Sequence, residues 1–225
     1  MDILPSLGDM ILGDTDSAGV PHGIPKGYVG EEPYTHTHTG GKFFPLRPED
    51  VQYSIADIAY ALARNPRYNG HLDYHYSVAQ HCVLVSRLLE EIWTGKRQVD
   101  GKYLVSANDL FTTLTAKQGL FHDASEAYLT DVARPIKQQL PDYQKIETRI
   151  QNSIYRYFDL NPHEHWSVKY VDKNMPGDET HALFSQATKW QDRTFNIEIV
   201  PWPELYAEHQ FQKRYNELES RLQTA

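Results

Sequence analysis

SVAQHCVLVSRLLEEIW, residues 77–93, reads as one amphipathic helix and decides the fold class. Ser77 is a good N-cap. Val78, His81, Cys82, Val85, Leu88, Leu89 and Ile92 recur at the three- and four-residue spacing of a single helical face. His81 therefore points toward the core, and Cys82 beside it reads as a small buried hydrophobe. Upstream, SIADIAYALAR (54–64) repeats the pattern, with Ser54 as N-cap and Ile55, Ile58, Ala59 and Leu62 as the stripe; it should stop near Asn65, before Pro66. RYNGHLDYHY (67–76) reads as a loop. Downstream, a helix is expected from about Asn108 to Leu129, and another in YQKIETRIQNSIYRYFDL (143–160), where Ile146, Ile150, Ile154 and Phe158 lie four apart. A further helix begins at HEHWSVKYVDKNM (163–175), and a C-terminal one in PWPELYAEHQFQKRYNELESRLQ (201–223) has Pro203 near its first turn. TGKRQVDGKYLVSA (94–107) reads as a polar connection, DVARPIKQQLPD (131–142) as a turn-rich link, and GKFFPLRPED (41–50) as a short extended piece ended by prolines. The fold expected is all-α.

Composition narrows the function classes. Apolar residues are 40% and charged residues 23% of the 225, ordinary for a globular chain with a real core. No apolar run approaches the roughly 20 residues that span a bilayer, and the N-terminus lacks a basic leader region, so no membrane partner and a cytoplasmic setting are expected. A single cysteine excludes a disulfide framework and a cysteine zinc cluster. A net charge of −8 argues against a nucleic-acid polymer as partner, though not against a small anion held locally. Residues 1–41 are rich in Gly, Pro, Asp and Thr without periodicity and read as a loop-rich extension to a domain over 42–225. His36 and His38, in THTHTGG at its end, read as part of a mobile polar loop, with no cysteine nearby in sequence.

GLFHDASEAYLTD, residues 119–131, raises the question of chemistry. His122 and Asp123 follow an apolar run, and a charged pair beside a buried face is costly without a compensating partner. Glu126 is one turn on. His81 lies in an apolar stripe, and Asp172 lies in VKYVD on another expected helix. Taken singly, His81 is a core histidine, His122-Asp123 a surface pair and Asp172 a solvated acid. Taken together, two imidazoles and two carboxylates converging between helices suit a divalent transition metal.

The pattern His81 … His122-Asp123 … Asp172 resembles the HD-domain metal-dependent phosphohydrolases. RYNGHLDYHYSVAQH, FHDASEAYLTDVARPIK and VKYVD are similar to the compact branch containing bacterial YfbR-type 5′-deoxynucleotidases and the phage dATP triphosphohydrolases called DatZ, over roughly residues 42–185. The resemblance implies a helical bundle in which His81, His122, Asp123 and Asp172 hold Zn, Co, Mn or Fe, with room for a second metal associated with the substrate. Such a metal polarises a phosphoryl oxygen and acidifies water. Glu126 takes the place of the catalytic glutamate that handles the attacking water or the leaving group. Arg67, Lys137 and Lys169 match phosphate-contacting cations, Tyr68 is placed to stack on a base, Pro135 to shape the base pocket, and Asp131 to read the sugar. Homo-oligomers are expected by the same resemblance.

One departure concerns Pro176-Gly177. Pro176 would clash with the carbonyl of Asp172 in a regular helix, so the helix is expected to bend or end just after Asp172. That leaves the placement of Glu179, His181 and Lys169 open and makes Asp178 a rival ligand. The activity expected is hydrolysis of a deoxynucleotide phosphate ester, foremost a dNTP (dATP) split into deoxynucleoside and triphosphate. The alternatives are a 5′-deoxynucleotidase acting on dNMPs and an inactive nucleotide-sensing module. A cyclic-nucleotide phosphodiesterase ranks below these.

Overall fold

The computed structural model describes residues 33–106, 108–185 and 191–224. Most of the loop-rich extension, residues 1–32, thus lies outside the described residues. The fold is an all-α bundle with two small antiparallel hairpins. In chain order the elements are β1 (Thr35–His36), β2 (Lys42–Phe43), α1 (Ile55–Arg64), α2 (Val78–Trp93), β3 (Thr94–Val99), β4 (Lys102–Val105), α3 (Asp109–Phe121), α4 (Glu126–Leu129), α5 (Arg134–Lys137), α6 (Pro141–Tyr157), α7 (Trp166–Leu183) and α8 (Glu204–Thr224). No helix among the described residues is long and apolar enough to cross a membrane.

α2 is the central rod. Val78, Ala79, Cys82 and Val83 join a core built with α1, α3, α6 and α8, while Val85, Leu88, Leu89 and Ile92 join a second core with Val168, Val171 and Met175 of α7. A helix buried on nearly every side must dispose of its polar groups in partners, and His81 does so. The helix starts follow the expected caps. Ser54 accepts from the amide of Ala56, Ser77 from that of Gln80, and Asn108 from that of Phe111. α1 stops at Arg64, because Asn65, ahead of Pro66, is extended. The loop 67–76 is pinned at its base, where Val78 N donates to Asn65 O at 3.0 Å and Arg67 N to Tyr76 O at 2.9 Å.

Four readings need correction. The polar connection at 94–107 is a hairpin, β3–β4, closed by Asp100-Gly101 with φ of 48° and 73°. Aspartate-glycine is the residue pair such a left-handed two-residue turn favours. THTHTGG is an ordered turn: β1 pairs with β2, Thr39 bonds the buried carboxylate of Asp57 through N and Oγ1, and His38 stacks on Tyr60 at 3.5 Å. The helix expected from Asn108 to Leu129 is interrupted at residues 122–125. The cause is Gln151 of α6, whose Nε2 donates to Phe121 O at 2.7 Å and whose Oε1 accepts from Ser125 N at 2.9 Å. Those two groups would pair with each other in a continuous α-helix. Finally, of the two outcomes expected at Pro176, a bend or an end just after Asp172, the end does not occur. α7 runs through Pro176 to Leu183, because burial anchors both halves: Val168, Val171 and Met175 before the proline, Gly177, Asp178, Glu179 and Leu183 after it.

Candidate metal centre

Four donors meet between α2, the 122–125 turn and α7. His81 Nε2 lies 3.3 Å from His122 Nε2, 3.3 Å from Asp172 Oδ1 and 3.9 Å from Asp123 Oδ2. His122 Nε2 lies 3.2 Å from Asp123 Oδ2 and 3.6 Å from Asp172 Oδ1. One ligand atom from each residue falls within 4.8 Å of every other. Ligands about 2.1 Å from one ion sit roughly 3.0–3.4 Å apart in octahedral or tetrahedral arrangement, so the spacing suits a shared cation. The hydrogen bonds behind the rings point the same way. His122 Nδ1 bonds the Gly119 carbonyl at 2.8 Å, and His81 Nδ1 bonds Glu179 Oε1 at 2.7 Å. Both partners only accept, so both imidazoles donate from Nδ1 and turn an Nε2 lone pair toward the other ring. Two lone pairs and two carboxylates facing one point repel unless a positive charge lies among them. Burial opposes a charge on His122, yet Asp123 outweighs it and raises the ring's pKa well above the usual value. The field that draws a proton there also draws a metal ion. Burial likewise works against ionised Asp172, but positive charge on the two rings that face it holds its carboxyl far below the usual range. The cluster can hold a divalent metal ion.

The tightened turn explains how Asp123 and Glu126 share a side. Ala124, Glu126, Ala127 and Tyr128 each donate to the carbonyl three residues back, and groups three apart eclipse in such a turn. Glu126 is 6% exposed, and its Oε2 has no partner. Burial, then Asp123 and Asp131, push its pKa well above the ordinary carboxylate value, against the pull of Lys137 and Arg67. Lys137 Nζ reaches Glu147 at 2.7 Å and Glu126 at 3.7 Å. Cys82 stands beside His122, but burial pushes its thiol up and disfavours the thiolate.

Two cavities open on the cluster. A cleft of about 830 Å³ is lined by Arg67, Tyr68, Asp131, Pro135 and Phe184, together with Asp123, Glu126 and Asp172. A second cavity, a chamber of about 300 Å³, is lined by Lys169, Glu147, Gln151 and Glu164 together with His122. Asp123 and Lys137 line both. The structure thus gathers His81, His122, Asp123, Asp172 and Glu126 with Arg67, Tyr68, Asp131, Pro135 and Lys137, and sets Lys169 in the second chamber. Tyr68 does not present a free hydroxyl. Its OH donates to Glu179 Oε2 at 2.5 Å, and its ring meets Phe184 edge-on.

Asp178 is not a ligand. Fully buried, it accepts from the amides of Thr194, Phe195 and Ile197 and from Arg193 Nε, so it organises the segment after α7. His181 bonds the Gly177 carbonyl on its own helix at 2.8 Å. Sequence reasoning missed two residues. Asn65 ties the loop after α4 to α1, with Oδ1 near Thr130 Oγ1 and Asp131 N and Nδ2 near Glu126 O. Glu179, entirely buried, receives four hydrogen bonds. Burial works against its charge, but Arg67 and His81 outweigh it and hold its pKa at about 2. A signal existed for Glu179: it is seven residues after Asp172, two turns along one helical face.

Fold and site define an all-α protein with a centre of two buried histidines and two half-buried aspartates suited to a divalent metal. No family model matches the chain. It is 30% identical over 191 residues to uncharacterized protein YfdR of Escherichia coli (strain K12), an alignment covering 82% of this chain and 95% of that protein, and it belongs to the YfdR family. An uncharacterized protein of Rhodobacter capsulatus is also 30% identical, over 125 residues that make up 54% of this chain and 56% of that protein.

Proposed function

We propose that the chain is a metal-dependent deoxynucleotide phosphohydrolase of the HD-domain type, acting foremost on a dNTP such as dATP. The observation carrying this reading is the juxtaposition of the His81–His122–Asp123–Asp172 cluster with a buried Glu126 whose Oε2 has no partner and two cavities lined by Asp123 and Lys137 beside it. A divalent metal bound there supplies Lewis acidity at a phosphoryl oxygen. The chain's own residues do the rest. Arg67, with a buried unpartnered Nε and with Nη1 3.7 Å from Asp123, faces an anion arriving in the cleft. Glu126 takes the proton of the attacking water and delivers one to the leaving 5′-oxygen. Its raised pKa suits the second task. Water oxygen bonds to the α-phosphorus, the P–O5′ bond breaks, and deoxynucleoside and triphosphate leave. The larger cleft accommodates the nucleoside and the chamber with Lys137 and Lys169 accommodates the β- and γ-phosphates.

A second reading, dNMP hydrolysis to deoxynucleoside and phosphate, is favoured by one feature of that chamber. Glu147 pairs with Lys137 at 2.7 Å, and Glu164 faces the same space, so the chamber offers a polyphosphate no net positive charge of its own. Chromatography and phosphate release across dNMPs and dNTPs, with Mn, Co or Zn supplied, separate the two. Triphosphate from dATP supports the first; inorganic phosphate from several dNMPs replaces it with the second. Glu126→Gln should cost about 10²–10⁴ in turnover while metal and nucleotide still bind. Unchanged turnover refutes the role of Glu126.

A further inference from the structure

We propose that Glu179 is a positioning residue shared by the two halves of the site. Its Oε1 sets the ring of the metal ligand His81, and its Oε2 sets Arg67 and Tyr68 on the cleft wall. Through this one carboxylate the cation site and the anion site are coupled. Oε1 receives His81 Nδ1 at 2.7 Å and Tyr76 OH at 2.9 Å; Oε2 receives Tyr68 OH at 2.5 Å and Arg67 Nη2 at 3.1 Å. An ionised carboxylate has about four lone-pair positions, so four donors saturate it. Glu179 is 0% exposed, which leaves water no access to replace a lost partner.

Each bond has a separate consequence. Because the carboxylate only accepts, His81 must carry its proton on Nδ1 and offer Nε2 to the cluster; partners behind a ligating histidine act in this way. On the other oxygen, Arg67 has few alternatives. Its Nη1 is 3.7 Å from Asp123 and its Nε is buried without a partner. Tyr68 and Asn69 hold left-handed backbone conformations, with φ of 56° and 51°. Such a conformation is disfavoured for a non-glycine residue, and the bond from Tyr68 OH to Glu179 ties that turn down. The same helix, α7, delivers Asp172 to the metal cluster and Glu179 behind His81. A shift of α7 therefore moves both sides together.

Glu179→Gln isolates the effect with little change of shape. A carboxamide accepts through one oxygen and carries no charge, so one pair of the four loses its acceptor and the other loses the charge that strengthens its bonds. The test uses the full chain, with folding verified by circular dichroism. Zinc affinity is measured by competition with a chelating dye, and affinity for inorganic phosphate by calorimetry at saturating zinc. Zinc binding should weaken by about 10–100-fold, and phosphate binding by about tenfold, the equivalent of one charge-assisted bond. Zinc affinity equal to wild type overturns the assignment for His81. Weakened zinc with unchanged phosphate affinity overturns the coupling. Should the variant not fold, nitrogen NMR of the metal-free wild-type chain decides. A His81 proton on Nδ1 supports the proposal, and one on Nε2 refutes it. Only the phosphate measurement rests on the proposed function. A chain that passes the zinc and NMR tests yet hydrolyses no nucleotide loses that function and keeps this role for Glu179.

Discussion

Replacing Gly177 by alanine should destabilise the protein, although alanine is the better helix former. Gly177 lies inside α7, where the exchange is worth roughly 1 kcal/mol in favour of alanine if space is open. Space is not open. A Cβ built on Gly177 falls 2.1 Å from the carbonyl oxygen of Asp192 and 3.0 Å from its carbonyl carbon, and 3.6 Å from Arg193 Cα. These are backbone atoms, so no rotamer relieves the contact; the 192–193 segment must retreat by about 1 Å to reach ordinary packing. Overpacking of this kind costs about 1–3 kcal/mol. The retreating segment is also the one whose amides, at Thr194, Phe195 and Ile197, bond the buried carboxylate of Asp178. Weakening even one bond to that charge adds about 1.5–3 kcal/mol. Set against the helix gain, the net loss is about 1.5–5 kcal/mol, or roughly 3–20 °C in Tm for a chain of this size. Urea and thermal unfolding of wild type and Gly177→Ala measure it. A variant as stable as wild type, or more so, refutes the close approach on which the reasoning stands.

Adding zinc or manganese at about 100 times its Kd should stabilise the wild-type chain by about 2.7 kcal/mol and raise Tm, with chelator reversing the shift; His122→Ala, which removes a ligand, should abolish the response in the same thermal scan. Gln151→Leu should remove the side chain that interrupts the helix at 122–125, leaving Phe121 O and Ser125 N free to pair; metal affinity should fall while helical circular dichroism is kept or rises, and unchanged affinity means the interruption does not place the ligands. Glu90 joins α2 to α8 through Arg214 at 2.6 Å and Arg221 at 2.7 Å. Partial burial opposes its charge, but those two bonds outweigh it and lower its pKa below the ordinary 4.5. A depressed carboxylate stabilises the fold above its unfolded pKa and loses that contribution as pH falls through its folded pKa. Glu90→Gln should therefore melt lower than wild type at pH 7, and the two curves should converge as pH drops below 4.5; a gap that persists in acid refutes the ionic contribution.

Much of the bundle was legible because its signals are local. Ser54 and Ser77 cap through their own hydroxyls, Pro66 stops α1, and the apolar spacing of residues 78–92 marks one buried face, His81 included. The four donors were legible as types at helical spacings. The errors share a different origin. Residues 94–107 are polar enough to read as a connection, though Asp100-Gly101 carried the hairpin signal within them. Pro176-Gly177 read as a bend or an end because a proline inside a helix carries a local cost, whereas the burial of Asp178, Glu179 and Leu183 that offsets it is not visible in the sequence around it.

By itself, then, the sequence determined an all-α chain, the inward turn of His81 and the residue types His122, Asp123, Glu126 and Asp172, since helix periodicity and capping depend on neighbours three or four positions away. Tertiary structure alone decided how those residues meet. Gln151, inserted from α6, breaks the helix at Phe121–Ser125 and brings Asp123 and Glu126 onto one side. Glu179, carried past Pro176 on an uninterrupted α7, fixes the ring of His81 from behind. Both effects are hydrogen bonds between residues 26 to 98 positions apart, and a preference summed along the chain contains no term for them.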